Sequence, residues 1–98
     1  MSHRARLHPA AQRELDEAAE FYDFEGPGLG TAFLDEIERA VRQIGEFPES
    51  SSIVLAPVRK KVISAFPYSV MYSVIDDVVI VLAFAHHRRR PFYWRGRE

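Results

Sequence analysis

Two histidines and three arginines stand in unbroken succession at His86, His87, Arg88, Arg89 and Arg90, and after Pro91 come three rings, Phe92, Tyr93 and Trp94. Guanidiniums next to aromatic rings suit contacts to phosphates and bases, or to an acidic partner. An imidazole with a pKa near ~6.5 suits proton transfer at neutral pH. A metal centre is not expected. Adjacent side chains of an extended chain leave opposite faces, so His86 and His87 do not close on one ion. The chain has no cysteine, and His3 and His8 are far away in sequence, so neither a metal nor another cofactor is anticipated. Charge runs commonly form solvated faces, but this one follows a long apolar run and is held by Pro91, which gives its side chains fixed directions. Arg59, Lys60 and Lys61 offer a second set of cations. Alternation places Arg59 and Lys61 on one face and Lys60 on the other, so at most two of the three join any one site. We expect Arg59 and Lys61 to be that pair. Ser50, Ser51 and Ser52 lack the flanking glycines of a nucleophile elbow. Gly26, Gly28 and Gly30 follow a helical pattern instead of a strand, which is the wrong context for a phosphate-binding loop.

The elements that must position these residues are legible from periodicity. Val78 to Ala85 is an unbroken apolar run rich in β-branched residues, and it is shorter than the ~18 residues a membrane span requires. It is expected as an interior strand whose end delivers His86 and His87 to solvent. Before it, Tyr68, Val70, Tyr72 and Val74 alternate with Ser69, Met71, Ser73 and Ile75, which predicts an antiparallel partner joined through a turn at Asp76-Asp77. Arg59 to Phe66 reads as a further strand, and Arg4 to Leu7 as a short edge strand. Between them, Ala11, Leu15, Ala18, Ala19 and Tyr22 line one face of a helix over 9–24 that opens at Pro9. Phe33, Ile37, Ala40, Val41 and Ile44 line a second helix over 29–44. The tight connection at Gly26-Pro27-Gly28 makes the two an antiparallel hairpin. The expected fold is therefore α+β, in the order β-α-α-β-β-β, with a mostly antiparallel sheet and the N-terminal helical hairpin packed on one face.

At 98 residues and 47% hydrophobic, the chain suffices for one globular domain, expected over 1–98. A net charge of -1 and a pI near 6.4 exclude a general polycation, so any nucleic-acid contact must come from a local patch. The start, MSHRARLHP, carries no apolar export segment, and a cytoplasmic protein with no membrane association is expected.

The helical hairpin AAQRELDEAAEFYDFEGPGLGTAFLDEIERAVRQIGEFP, which ends in Phe47-Pro48, the strand FPYSVMYSV and the final VVIVLAFAHHRRRPFYW together resemble the RelE/ParE superfamily of bacterial type II toxin–antitoxin toxins, in particular its ParE-like and plasmid-stabilisation branch. The resemblance spans nearly the whole chain. It implies a growth-inhibiting toxin that forms a hetero-oligomer with a cognate antitoxin, whose flexible segment folds on the toxin's surface. Proteins similar to this one either block DNA gyrase or cut messenger RNA on the ribosome without a metal. For RNA cleavage by 2'-hydroxyl attack the resemblance nominates His87, Tyr93 and Arg59 as catalytic. For binding a target or nucleic acid it nominates Lys61, Arg88, Arg89, Arg90, Tyr93 and Trp94. Ribonuclease members usually carry an arginine where this chain has Ser69, and they tend to be strongly basic. The resemblance as it stands therefore favours gyrase, with ribosome and messenger RNA as the alternative targets.

Overall fold

A computed structural model describes residues 3–97 of the chain. The elements run β1 (Arg4–Leu7), α1 (Pro9–Glu25), α2 (Leu29–Glu46), β2 (Ser52–Leu55), β3 (Val58–Val62), β4 (Tyr68–Ile75) and β5 (Val78–His86). They form an α+β fold whose five-stranded sheet has the order β1-β5-β4-β3-β2. β5 is interior, antiparallel to β4 and parallel to β1, and the remaining pairings are antiparallel. One strand more is present than the sequence pattern suggests. Ser52–Leu55 pairs with Val58–Val62, separated by Ala56-Pro57, where Pro57 has no N–H to continue a ladder. β3 also stops at Val62, short of Phe66, because the chain turns through Ala65 in a left-handed conformation (φ 70°).

The hairpin of helices forms for local reasons. The His8 imidazole accepts from the Ala10 N–H at 3.0 Å and caps α1, whose first turn carries Pro9. Gly28 precedes α2 with φ 79°, a conformation that costs glycine little. Asp23 accepts from the Gly30 N–H at 3.0 Å, and this close crossing leaves no room for a side chain at Gly30: a Cβ there would meet Asp23 and the Ala19 carbonyl.

The apolar stripes of both helices cover one face of the sheet. Ala11, Ala18, Phe33, Ile37, Ala40 and Ile44 pack there against Val70, Tyr72, Val79, Val81 and Phe84. Tyr22, Phe33, Phe66 and Tyr68 form an aromatic group in mostly edge-on contact. The buried Tyr72 hydroxyl donates to the Pro48 carbonyl at 2.7 Å, so the ring is buried without an unpaired polar atom. The opposite face carries a second, smaller cluster of Val58, Met71, Leu82, Ala83 and Trp94. Its cover is the irregular segment after β5. Among the described residues no helix is long and apolar enough to cross a membrane.

Candidate functional site

A bulge decides which side chains meet at the end of β5. Val81 lies opposite Tyr72 and Ala83 lies opposite Met71, which leaves Leu82 as an extra residue. Beyond it the alternation is reversed relative to Val79 and Val81. His86 then falls on the helix side, edge-on to Tyr68 with ring centroids 5.1 Å apart. His87 falls on the other side, where its Nε2 lies 3.1 Å from the Ser69 hydroxyl in a hydrogen bond. The histidines diverge, as adjacent residues of a strand must. Ser69 itself is buried.

On the His87 side lies a cavity of about 240 Å³. Val54, Met71, Ala85 and Trp94 give it apolar walls, while Lys60, Ser69, His87, Arg89 and Arg90 bring hydroxyl, imidazole and cationic groups to it, and Tyr93 also contributes. A larger cavity of about 490 Å³ between α2 and β1 is lined mainly by aliphatic groups such as Leu7, Leu15, Ile37 and Val41, and it gathers no comparable polar set. We therefore take the smaller cavity as the candidate site.

The second basic strand contributes differently from expectation. Arg59 pairs with Tyr72 and Lys61 with Val70, both residues of the helix-side core, whereas Lys60 pairs with Met71 of the opposite cluster. Directly paired residues share a face, so the cation that joins His87 is Lys60. Arg59 donates to the carbonyls of Glu49 at 3.0 Å and Ser51 at 2.7 Å, tying down the loop before β2. Lys61 lies beside Glu36, Arg39 and Gln43 of α2. The alternation within the triplet was legible, but which face would carry the site depends on a bulge in another strand.

Trp94 also departs from expectation. Only 3% exposed, it fills the second core cluster and is not offered to a target. Of the three rings it is Phe92 that is exposed, held in a left-handed backbone conformation with φ 61° and stacked edge-on to Trp94 at 5.9 Å. Arg88, Arg89 and Arg90 are all exposed. The Arg89 guanidinium lies 3.9 Å from the centre of the Tyr93 ring, a cation–π arrangement that gives it a preferred direction.

Tyr93 is fixed in turn by Glu14, which no pattern in the sequence distinguishes from the other acidic positions of α1. The Tyr93 hydroxyl donates to Glu14 Oε2 at 2.6 Å. Glu14 also accepts a two-pronged contact from Arg97, at 3.0 Å and 3.2 Å. Burial first, and then the hydrogen bond and charge of Glu14, hold the Tyr93 phenol well above its ordinary pKa, with Arg89 and Arg97 pulling the other way. At neutral pH this phenol is a donor and not a base.

Charge is distributed unevenly over the fold. Within residues 9–46, the helical hairpin, there are ten carboxylates and three arginines, whereas the rest of the chain has four carboxylates and ten lysines and arginines. A chain near neutrality overall thus presents an acidic helical layer and a basic sheet and C-terminal segment.

Comparison with known proteins adds to this geometry. A family model described as "ParE toxin of type II toxin-antitoxin system, parDE" matches residues 5–91. Among solved structures, a chain of the chromosomal ParDE TA system from P. aeruginosa is similar in fold, with a TM-score of 0.75 at 16% identity over 87% of this chain and 96% of that one. No curated protein matches the chain by sequence.

Proposed function

The chain belongs to the ParE toxin family of type II toxin–antitoxin systems, and on that premise we propose that it acts in the cytoplasm as a single-domain growth inhibitor that binds DNA gyrase and is neutralised by a cognate antitoxin. The observation that carries this reading is the state of the groups nominated for RNA cleavage. Arg59 is committed to loop carbonyls on the helix face, and the Tyr93 hydroxyl is committed to Glu14. His87 alone of the three is held by neither a backbone carbonyl nor a carboxylate, and its partner is a serine hydroxyl. General acid–base cleavage of a phosphodiester needs two proton-transferring groups and a cation converging on one phosphate. Binding needs only the surface that is present: exposed guanidiniums, Lys60 and Phe92 around an apolar-walled cavity.

One observation favours the ribonuclease alternative. Lys60, Arg89 and Arg90 share a cavity with His87, and such a cluster can hold a phosphate. The experiment that separates the readings measures gyrase supercoiling and ribosome-dependent cleavage of messenger RNA with the same purified protein. Loss of supercoiling with intact messenger RNA is expected, together with growth arrest on expression that a co-expressed antitoxin relieves. Cleavage with normal supercoiling reverses the assignment. His87→Ala sharpens the result: an acid–base catalyst would lose about 10²–10⁴-fold in activity, whereas a binding surface keeps most of its potency.

A further inference from the structure

The carboxylates of α2 that form ion pairs do so with arginines three or four residues away on the same helix, as Glu36 does with Arg39 and Glu38 with Arg42. Glu14 behaves differently. Its partners lie 70 to 83 residues further along the chain, and both of its oxygens are used. It is largely buried, as is Arg97, with side-chain exposures of 15% and 18%.

The reason lies in the edge of β5. β1 pairs with β5 only as far as Val81. Past that point the Phe84 N–H donates to Glu14 Oε1 at 3.1 Å, and the Leu82 carbonyl accepts from Arg97 Nη1 at 3.0 Å. Two side chains, one from α1 and one from the end of the chain, therefore do what a neighbouring strand would do. The same carboxylate holds the Tyr93 hydroxyl, and the guanidiniums of Arg89 and Arg97 lie 3.9 Å and 5.1 Å from the centre of the Tyr93 ring. Burial of Trp94 anchors the segment to the sheet but does not orient the ring beside it. Glu14 holds its hydroxyl, and the ring carries Arg89, one of the residues that line the cavity. Tyr93 and Arg97 lie beyond residues 5–91, so the family match does not speak to this contact.

We infer that Glu14 is a positioning residue: acting through Tyr93 and Arg97, it sets the direction of Arg89 and the conformation of the basic segment that meets the target. The inference rests on the reading that this segment contacts gyrase. A charged, two-pronged hydrogen-bonded pair with additional partners specifies geometry more sharply than apolar contact alone.

The test uses the full chain and its sole tryptophan, Trp94, as reporter. Glu14→Gln keeps an acceptor for the Phe84 N–H and removes the charge that Arg97 and Tyr93 share. The expected result is unchanged far-UV circular dichroism, Trp94 emission moved to longer wavelength with greater quenching by iodide, and inhibition of gyrase weakened about tenfold, the size of one network coupling. Tyr93→Phe should weaken inhibition similarly, and adding Glu14→Gln to it should cost less than about a further twofold, because the two act in series. Tyr72→Phe, which deletes a buried hydroxyl on the helix face, is the control and should leave both emission and inhibition alone. The inference is overturned if Glu14→Gln retains wild-type emission and potency, or if the effects of the two substitutions multiply as those of independent sites do. Should Glu14→Gln fail to fold, Tyr93→Phe decides alone, and wild-type emission and potency in that variant overturn the inference. If the wild-type protein leaves supercoiling intact, the gyrase reading fails, and emission and quenching in the same variants then decide the role of Glu14.

Discussion

On one face of the sheet, α1 and α2 lay two regular apolar stripes over Val70, Tyr72, Val79, Val81 and Phe84, and an aromatic group closes the end of the layer. On the other, an irregular segment crosses the strands and buries essentially one side chain, Trp94, against Val58, Met71, Leu82 and Ala83. The first arrangement removes water over a wide area and leaves polar groups no place to act. The second leaves part of its face open, and there Lys60, His87, Arg89 and Arg90 gather beside an apolar-walled cavity. The main core and the proposed target contact thus lie on opposite sides of the sheet, and the bulge at Leu82 gives the end of β5 to the second side.

Truncation on each side gives the strongest test of that division. Phe33 is fully buried among Tyr22, Phe66 and Tyr68, and Phe33→Ala should cost about 3–5 kcal/mol in urea unfolding, enough to threaten the fold. Trp94→Ala should cost about 3 kcal/mol, at the low end for such truncations, because its cover is one strand of chain that can relax. Hydrogen exchange should then rise in the segment after β5 while α1 and α2 stay protected. Equal cost with loss of protection in both helices would mean that the two faces form one cooperative core.

The same division explains what could be read from the sequence. Helices carry their own periodicity, so the stripes Ala11 to Tyr22 and Phe33 to Ile44 located the hairpin. Asp76 and Asp77 located the β4–β5 turn, where both adopt left-handed conformations (φ 49° and 62°) suited to a tight two-residue connection. β2 was not separable because four residues before a proline carry too little pattern. The open face was harder. Alternation sets Arg59 and Lys61 apart from Lys60, but it fixes which residues share a face and not which face is which. Trp94 among arginines looks like a contact residue until the chain is seen to fold back. Glu14 looks like any other carboxylate of a solvated helix face, since its partners are set by tertiary structure alone.

Lys60 and Lys61 turn the comparison into a neighbouring pair of substitutions. Neither replacement by alanine should change stability by more than about 0.5 kcal/mol, as befits partly exposed cations. Lys60→Ala should weaken inhibition of the target about two- to fivefold, the scale of one exposed charge contact. Lys61→Ala, on the helix face, should leave it within experimental error. A larger loss from Lys61→Ala would place target contact on the helix side and dissolve the division.

At neutral pH Tyr93→Phe should cost about 1 kcal/mol of stability for one hydrogen bond, less than either core truncation, but alkaline titration makes it diagnostic. Tyr22, Tyr68 and Tyr93 are all held above the ordinary phenol pKa of 10.0, each by burial first; Glu25 adds to this at Tyr22, Tyr22 and Glu14 at Tyr68, and Glu14 at Tyr93. Below that pH these phenols are protonated in both folded and unfolded chains, and their contribution to stability is fully present. Above it the unfolded chain releases protons first, so stability must fall as pH rises toward the higher folded values. Tyr22 and Tyr68 belong to the helix-side core, whereas Tyr93 belongs to the open side. Urea unfolding between roughly pH 9 and 11 should therefore show a fall in stability shallower in Tyr93→Phe by up to about one proton of linkage, while Trp94 emission of the folded wild-type protein should stay constant over the same interval, because its Tyr93 phenol remains protonated. An unaltered slope in Tyr93→Phe would mean that the phenol is not held by Glu14, and that the open face owes its order to Trp94 alone.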